Sequence, residues 1–264
     1  YYRMMMNEEL LDLDNRKGKA PGGYCTYFPN IKRPFIFMNA VGVHDDVNTL
    51  LHEGGHAFHA FESASLPYSQ QQDVPMEFAE VASMAMELIG APYLSKANGG
   101  FYSETDANRA RVEHLEGILQ FWGYMSVVDS FQHWIYTHHD IATDPSACDE
   151  KWAELWSRYM VGIDYTGLEH FLSNRWRRQL HIFQLPFYYI EYGLAQLGAV
   201  QVWSNALNNQ AGALADYRKA LALGGTVKLP DLFATAGAKL AFDTQTLADA
   251  VELVEKTIYQ LDPM

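Results

Sequence analysis

Cysteine is scarce: Cys25 and Cys148 are the only two in 264 residues. Two thiols without paired spacing exclude a disulfide framework and a zinc ribbon or finger, so both read as reduced structural residues. Cations are also few, 19 Lys and Arg against 32 Asp and Glu, for a formal net charge of −13. Nucleic-acid affinity rests on clustered cations, so nucleic acid is excluded as an expected partner. No apolar run approaches the roughly eighteen residues that span a bilayer. The opening residues also lack the charged start, apolar centre and cleavage site of a signal peptide. A cytoplasmic protein with no membrane partner is the expectation. There is no internal repeat and no low-complexity tract.

The chain is 48% hydrophobic, enough for one large core or two modest ones, and length alone does not decide between them. β-signal is rare too. Only YCTYFP (24 to 29) and PFIFMNAV (34 to 41) combine aromatic and β-branched residues with Pro and Asn boundaries. Residues 1 to 13 read as helix and NRKGKAPGG (15 to 23) as a basic loop. Helical periodicity then dominates: a helix capped by Asp45 or Asp46, one from about 73 to 90, and others near 104 to 136, 149 to 161, 186 to 206, 211 to 223 and 243 to 260. The predicted class is mainly α with a small sheet on its N-terminal side.

One helix carries HEGGH (52 to 56). Two glycines inside a helix cost about 1 kcal/mol each relative to alanine, so something other than propensity selects them. On a helix, positions i and i+4 share a face, so His52 and His56 offer two imidazoles to one ion. Glu53 then stands beside the first ligand as a general base. Chance places HExxH in about one chain in a hundred of this length, and here it follows a strand in a capped helix. Gly54 and Gly55 let a backbone segment or a substrate approach closely.

A catalytic zinc takes three protein ligands and an open position. His59 lies near the same face, but a third ligand so close on one rigid helix is awkward, and it reads as a residue that supports the ligands or packs. Metzincins continue H-x-x-G-x-x-H, whereas this chain has His59 in place of the glycine and Glu62 in place of the last histidine. The next helix offers Glu77, Glu80 and Glu87. Glu77 suits the helix N-terminus. Glu80, among Phe78, Ala79, Val81 and Ala82, requires a positive partner if ionised. Glu87, on the same face, is placed to hydrogen-bond a ligand histidine, with a solvent-facing acid as the alternative.

TLLHEGGHAFHAF followed by EFAEVASMAMEL, with Glu80 28 positions after His52, resembles oligoendopeptidase F and its relatives in the thimet oligopeptidase family. DLDNRKGKAPGGYCTYFPNIKRPFIFMN upstream and HIFQLPFYYIEYGLAQLGAVQVW (181 to 203) downstream are similar to segments of the same enzymes. The resemblance implies a zincin-like catalytic core, a small sheet with the HExxH helix and the glutamate helix, inside a helical shell. It implies one zinc per chain held by His52, His56 and Glu80, with Glu53 as base and oligopeptides as substrates. It also implies a histidine and tyrosines near the scissile bond, for which His181, Tyr189 and Tyr192 are the candidates and Tyr188 stays open. Tyr189 and Tyr192 share a helix face, yet PFYYIEY equally fits an aromatic core stripe.

Family members are about twice this length as the resemblance has it, so residues 1 to 264 are expected to be a single catalytic domain, the C-terminal half of a longer peptidase. YYRMMMNEELLDL reads as a helix interior. Two other functions stay open: a zinc aminopeptidase, and a metal-binding or peptide-binding module without turnover. If PFIFMN is the sheet edge beside the zinc, it could pair with an extended peptide. His138 and His139 read as a polar loop pair. Oligomeric state is not encoded in any feature of the sequence.

Overall fold

A computed structural model describes residues 1–262. It is mainly helical with one three-stranded sheet, as expected. The strands are β1 (Leu11–Asp14), β2 (Tyr24–Phe28) and β3 (Arg33–Ala40). The helices are α1 (Tyr2–Asn7), α2 (His44–Ser63), α3 (Met76–Gly90), α4 (Glu104–Thr137), α5 (His139–Ala142), α6 (Pro145–Tyr159), α7 (Glu169–Ser173), α8 (Leu180–Gln184), α9 (Tyr189–Leu223), α10 (Leu229–Thr235) and α11 (Thr244–Leu261). They form two compact units: Tyr1–Glu113 with the segment from Leu194 onward, and His114–Gly193.

In the first unit the sheet order is β1-β3-β2, with β1 parallel and β2 antiparallel to β3. Pro34, Ile36 and Met38 alternate as the buried face of β3, the period of a strand with one side on a core. Ile36 and Met38 pack with Met5 and with Ala57 of α2. Two expectations are corrected. Residues 11–14 pair as a strand rather than continuing the first helix, because Leu11 and Asp12 find Ile36 and Phe37 across the sheet. PFIFMN lies on the central strand, not on the edge, since β1 and β2 cover both its sides. The edge beside α2 is β2.

The loop before β2 is held from within. Lys19, its side chain 1% exposed, reaches the Asp12 carboxylate and the Asp12 and Asp14 carbonyls, and its ammonium lies over the Phe37 ring. Asn39 donates to the carbonyls of Ala20 and Gly22. Lys19, one of the three basic residues of this loop, is thus spent on folding.

Helix α2 begins after Val43, two to three residues earlier than the expected cap. Asp46 does not cap from outside: one of its carboxylate oxygens accepts from the N–H groups of Val41, Gly42 and Val43, groups with no intrahelical partner. In α3 the residues Phe78, Val81, Ala82, Ala85 and Leu88 are buried, at helical spacing, and full burial of Phe78 or Val81 contributes about 1.5–3 kcal/mol. Their small neighbours let α3 lie directly on α2. A Cβ built on Gly55 would sit 2.5 Å from Ser83 Cα and 2.6 Å from the Ala82 carbonyl oxygen, whereas one on Gly54 meets nothing within 4 Å. Tyr217 of α9 donates to that same Ala82 carbonyl at 2.6 Å. Helix α9 is broken at Asn209 (φ −152°, ψ 85°), between the two helices read from the sequence.

The second unit packs Phe131, Trp152, Trp156, Leu155, Val127 and Val128 into its own core. Among the described residues no helix is long and apolar enough to cross a membrane.

The two glycines of HEGGH should respond oppositely to alanine. Gly55→Ala drives a methyl into backbone that cannot yield and lowers stability by about 3 kcal/mol; Gly54→Ala enters open space and raises it by up to about 1 kcal/mol. Denaturant midpoints of the two variants test this, and equal midpoints would refute the reading of Gly55.

Candidate metal centre

The helix crossing at Gly55 faces the second half of the HEGGH turn with the first half of α3. His52 and His56 lie one turn apart with ring centroids 5.0 Å apart. Glu80 Oε2 is 3.3 Å from His52 Nε2 and 3.6 Å from His56 Nε2. The three donor atoms lie within 4.8 Å of one another. Two donors about 2.1 Å from a tetrahedral ion stand about 3.4 Å apart, which is the spacing of the Glu80 oxygen from each imidazole nitrogen. The donor set fits a metal.

Each donor is aimed by a neighbour. Glu87 Oε1 lies 2.7 Å from His52 Nδ1, which orients the ring and leaves Nε2 for the ion. Ser83 donates to Glu80 Oε2 at 2.9 Å. Glu80 is 5% and Glu53 7% exposed, and buried carboxylates need a counter-charge. Burial opposes a charge on His52, but its hydrogen bonds to Glu80 and Glu87 outweigh that and hold its pKa up at about 10. Burial pushes His56 down to about 4, so its imidazole is neutral. Burial raises Glu80, but the His52 hydrogen bond and the two histidines bring it below the usual carboxylate range.

Glu53, three residues before His56 and so toward the same face of the helix, lies under the start of β2. A Cβ on Gly23 would come 3.7 Å from Glu53 Oε1. Burial raises the Glu53 pKa, with the His52 charge and the Cys25 amide acting against it. Burial and the Glu53 charge push the Cys25 thiol up to about 12, so Cys25 is no nucleophile. Beside His56 a cavity of about 430 Å³ is lined by Cys25, Tyr27, His59, Gln72 and Val74.

His59 stands outside the donor cluster. It is 7% exposed, packs edge-on against Phe78 at 6.1 Å, and its Nε2 is buried without a hydrogen-bond partner among the described residues. Glu77 sits in the first turn of α3.

His181, Tyr188, Tyr189 and Tyr192 belong to the second unit. There Phe187 takes a left-handed φ of 62° and separates α8 from α9, so that the tyrosines return onto His181. The His181 ring is stacked on Tyr188 and edge-on to Tyr189 and Tyr192, at 5.8, 5.1 and 5.8 Å. Tyr189 also packs against Phe121 and Tyr124, and burial raises its hydroxyl pKa. Of the two sequence readings of PFYYIEY, aromatic packing is the one these contacts show. Two partners escaped the sequence: Gln179, 2.7 Å from His181 Nδ1, and Tyr124, whose hydroxyl donates to Gln179 at 2.7 Å. A glutamine two positions before a histidine carries no motif, and Tyr124 is 55 residues distant.

With this geometry in place, the match to a known family is decisive. Residues 2–252 match the model of peptidase family M3. The chain belongs to that family. It is 25% identical to chromosomal oligoendopeptidase F of Lactococcus lactis subsp. cremoris, over 98% of this chain and 42% of that protein. It is 24% identical to an oligoendopeptidase F homolog of Borreliella burgdorferi, over 84% of this chain and 37% of that one. Among solved structures, PZ peptidase A with inhibitor 2 superposes with a TM-score of 0.89 at 34% identity, covering 99% of this chain and 46% of that one. The M3 chain described here thus spans less than half the length of these relatives.

The aiming of His52 by Glu87 has a measurable consequence. Glu87→Ala should weaken metal affinity about 10- to 100-fold, while Glu80→Ala removes a donor and weakens it further. Titration against a competing chelator measures both, and wild-type affinity in Glu87→Ala would rule out the orienting role.

Proposed function

We propose that this chain is the catalytic domain of a zinc-dependent endopeptidase that hydrolyses oligopeptides. The observation that carries this reading is Glu53: a buried carboxylate adjoining a His₂Glu donor set, in a chain of a peptidase family. A pure metal binder has no use for it. His52, His56 and Glu80 would hold zinc, which when bound supplies Lewis-acid polarisation of the scissile carbonyl and of the attacking water. Glu53 takes a proton from that water and passes it to the leaving amine. Its burial raises its pKa toward the range where a base works near neutrality. On the family resemblance, His181 and a tyrosine among Tyr188, Tyr189 and Tyr192 would be the hydrogen-bond donors to the developing oxyanion.

The substrate backbone is assigned to β2. Tyr27 faces Pro34 across the ladder, and proline has no N–H, so this pair cannot exchange hydrogen bonds. The N–H and C=O of Tyr27, and two residues back those of Cys25, therefore point away from β3. An extended peptide adding to this edge would run past Glu53, with the cavity beside His56 receiving one of its side chains. No feature of the site favours an aminopeptidase over this reading.

Elemental analysis should find one zinc per chain, and chelation should abolish cleavage at internal bonds of a quenched fluorescent peptide library. Glu53→Ala should retain the zinc and lose about 10²- to 10⁴-fold in kcat; cleavage undiminished in that variant would overturn the mechanism. Tyr27→Pro removes one outward donor and should raise KM about fivefold, the equivalent of one hydrogen bond of about 1 kcal/mol. An unchanged KM would remove β2 as the docking edge.

A further inference from the structure

The contacts around His181 specify which of its nitrogens carries the proton. Gln179 is the residue before α8, and the turn is closed by two backbone bonds, Gln179 N–H to the Trp176 carbonyl and Ile182 N–H to the Gln179 carbonyl, both at 3.1 Å. This places the Gln179 amide 2.7 Å from His181 Nδ1. The other end of the amide receives the Tyr124 hydroxyl at 2.7 Å. Tyr124 is held by Trp152, Trp156 and Tyr189, all edge-on at 5.8 to 6.3 Å, so its hydroxyl is fixed in place.

A carboxamide has an acceptor oxygen at one end and a donor NH₂ at the other. A phenolic O–H is a better donor than acceptor, so it takes the oxygen end and leaves the NH₂ facing the imidazole. An NH₂ group only donates, and the nitrogen it meets must be bare. A neutral imidazole with a bare Nδ1 carries its proton on Nε2. Burial lowers the pKa of His181, which keeps the ring neutral near pH 7. Tyr188 stacks on the ring and Tyr189 and Tyr192 meet it edge-on, and a half-turn of the ring would put a carbon where Nδ1 faces the amide, forfeiting that hydrogen bond.

We propose that Gln179, steered by Tyr124, is a positioning residue that fixes His181 as the Nε2–H tautomer, so that the ring offers a hydrogen-bond donor and not a lone pair. This rests on the reading of His181 as a donor to the oxyanion. With the proton on Nδ1, the ring would present a lone pair to a developing negative charge and repel it. The relay makes an ordinary neutral histidine permanently donor-competent without charging it.

The test is a long-range ¹H–¹⁵N correlation spectrum of the full chain labelled with ¹⁵N-histidine, at about pH 8, above the imidazole titration. The His181 signals are identified by their loss in His181→Ala. In the wild type Nδ1 should be pyridine-like and Nε2 pyrrole-like. Gln179→Glu places an acceptor against Nδ1, and the pattern should reverse, with kcat down about 10²-fold and KM little changed. A wild-type ring protonated on Nδ1 overturns the proposal, even if His181→Ala loses activity. So does a Gln179→Glu protein that keeps both the wild-type tautomer and the wild-type kcat. If the spectrum is as stated but His181→Ala keeps full kcat, the tautomer assignment stands and the oxyanion role of His181 falls. The wild-type spectrum decides the assignment should Gln179→Glu fail to fold.

Discussion

The first unit depends on one close approach, that of α2 to α3 at Gly55. A bare Cα there lets the Ala82–Ser83 backbone come within a distance that any side chain would forbid. Glu80 lies three residues before Ser83 and Glu87 four residues after it, so both project from the same strip of α3. The contact therefore delivers one carboxylate to the Nε2 side of the imidazoles and the other to Nδ1 of His52. Tyr217 clamps the same turn from behind through the Ala82 carbonyl.

Electrostatics then separates two kinds of carboxylate. Glu80 and Glu87 meet imidazole nitrogens, and Glu80 is pulled below the usual range by that contact. Glu53 is one residue from His52 and lies beneath β2, where burial dominates its titration in the opposite direction. Two crossing helices thus present ligand carboxylate and base with opposite pKa shifts, set by what surrounds each. The second unit treats His181 by different means, with aromatic rings on its faces and an amide on its edge.

Much of this was legible in the chain. The mainly helical class, the strands at 24 and 34, the helix bearing HEGGH and the break near residue 209 follow from local spacing and boundary residues. The pairing of His52 with His56 is likewise a property of one helix turn. Glu80 could be singled out because a charged residue among apolar neighbours on a helix demands a partner, and Glu87 because it lies two turns along on the same face. The strand at 11–14 was not legible: four residues have no periodicity of their own and become a strand only against Ile36 and Phe37.

By itself, then, the sequence determined what rests on contacts within a turn or two: which segments coil, where they are interrupted, and which side chains share a face. Tertiary structure alone decided the sheet order that puts PFIFMN in the centre and β2 at the edge, because strand pairing is a choice between distant segments that alternation cannot rank. It also decided the different uses of the two glycines, one against α3 and one facing open space, and the partners of His59, Glu53 and His181. Apart from Gln179 beside His181, each of these is a distance between residues far apart in the chain, set by how whole elements pack.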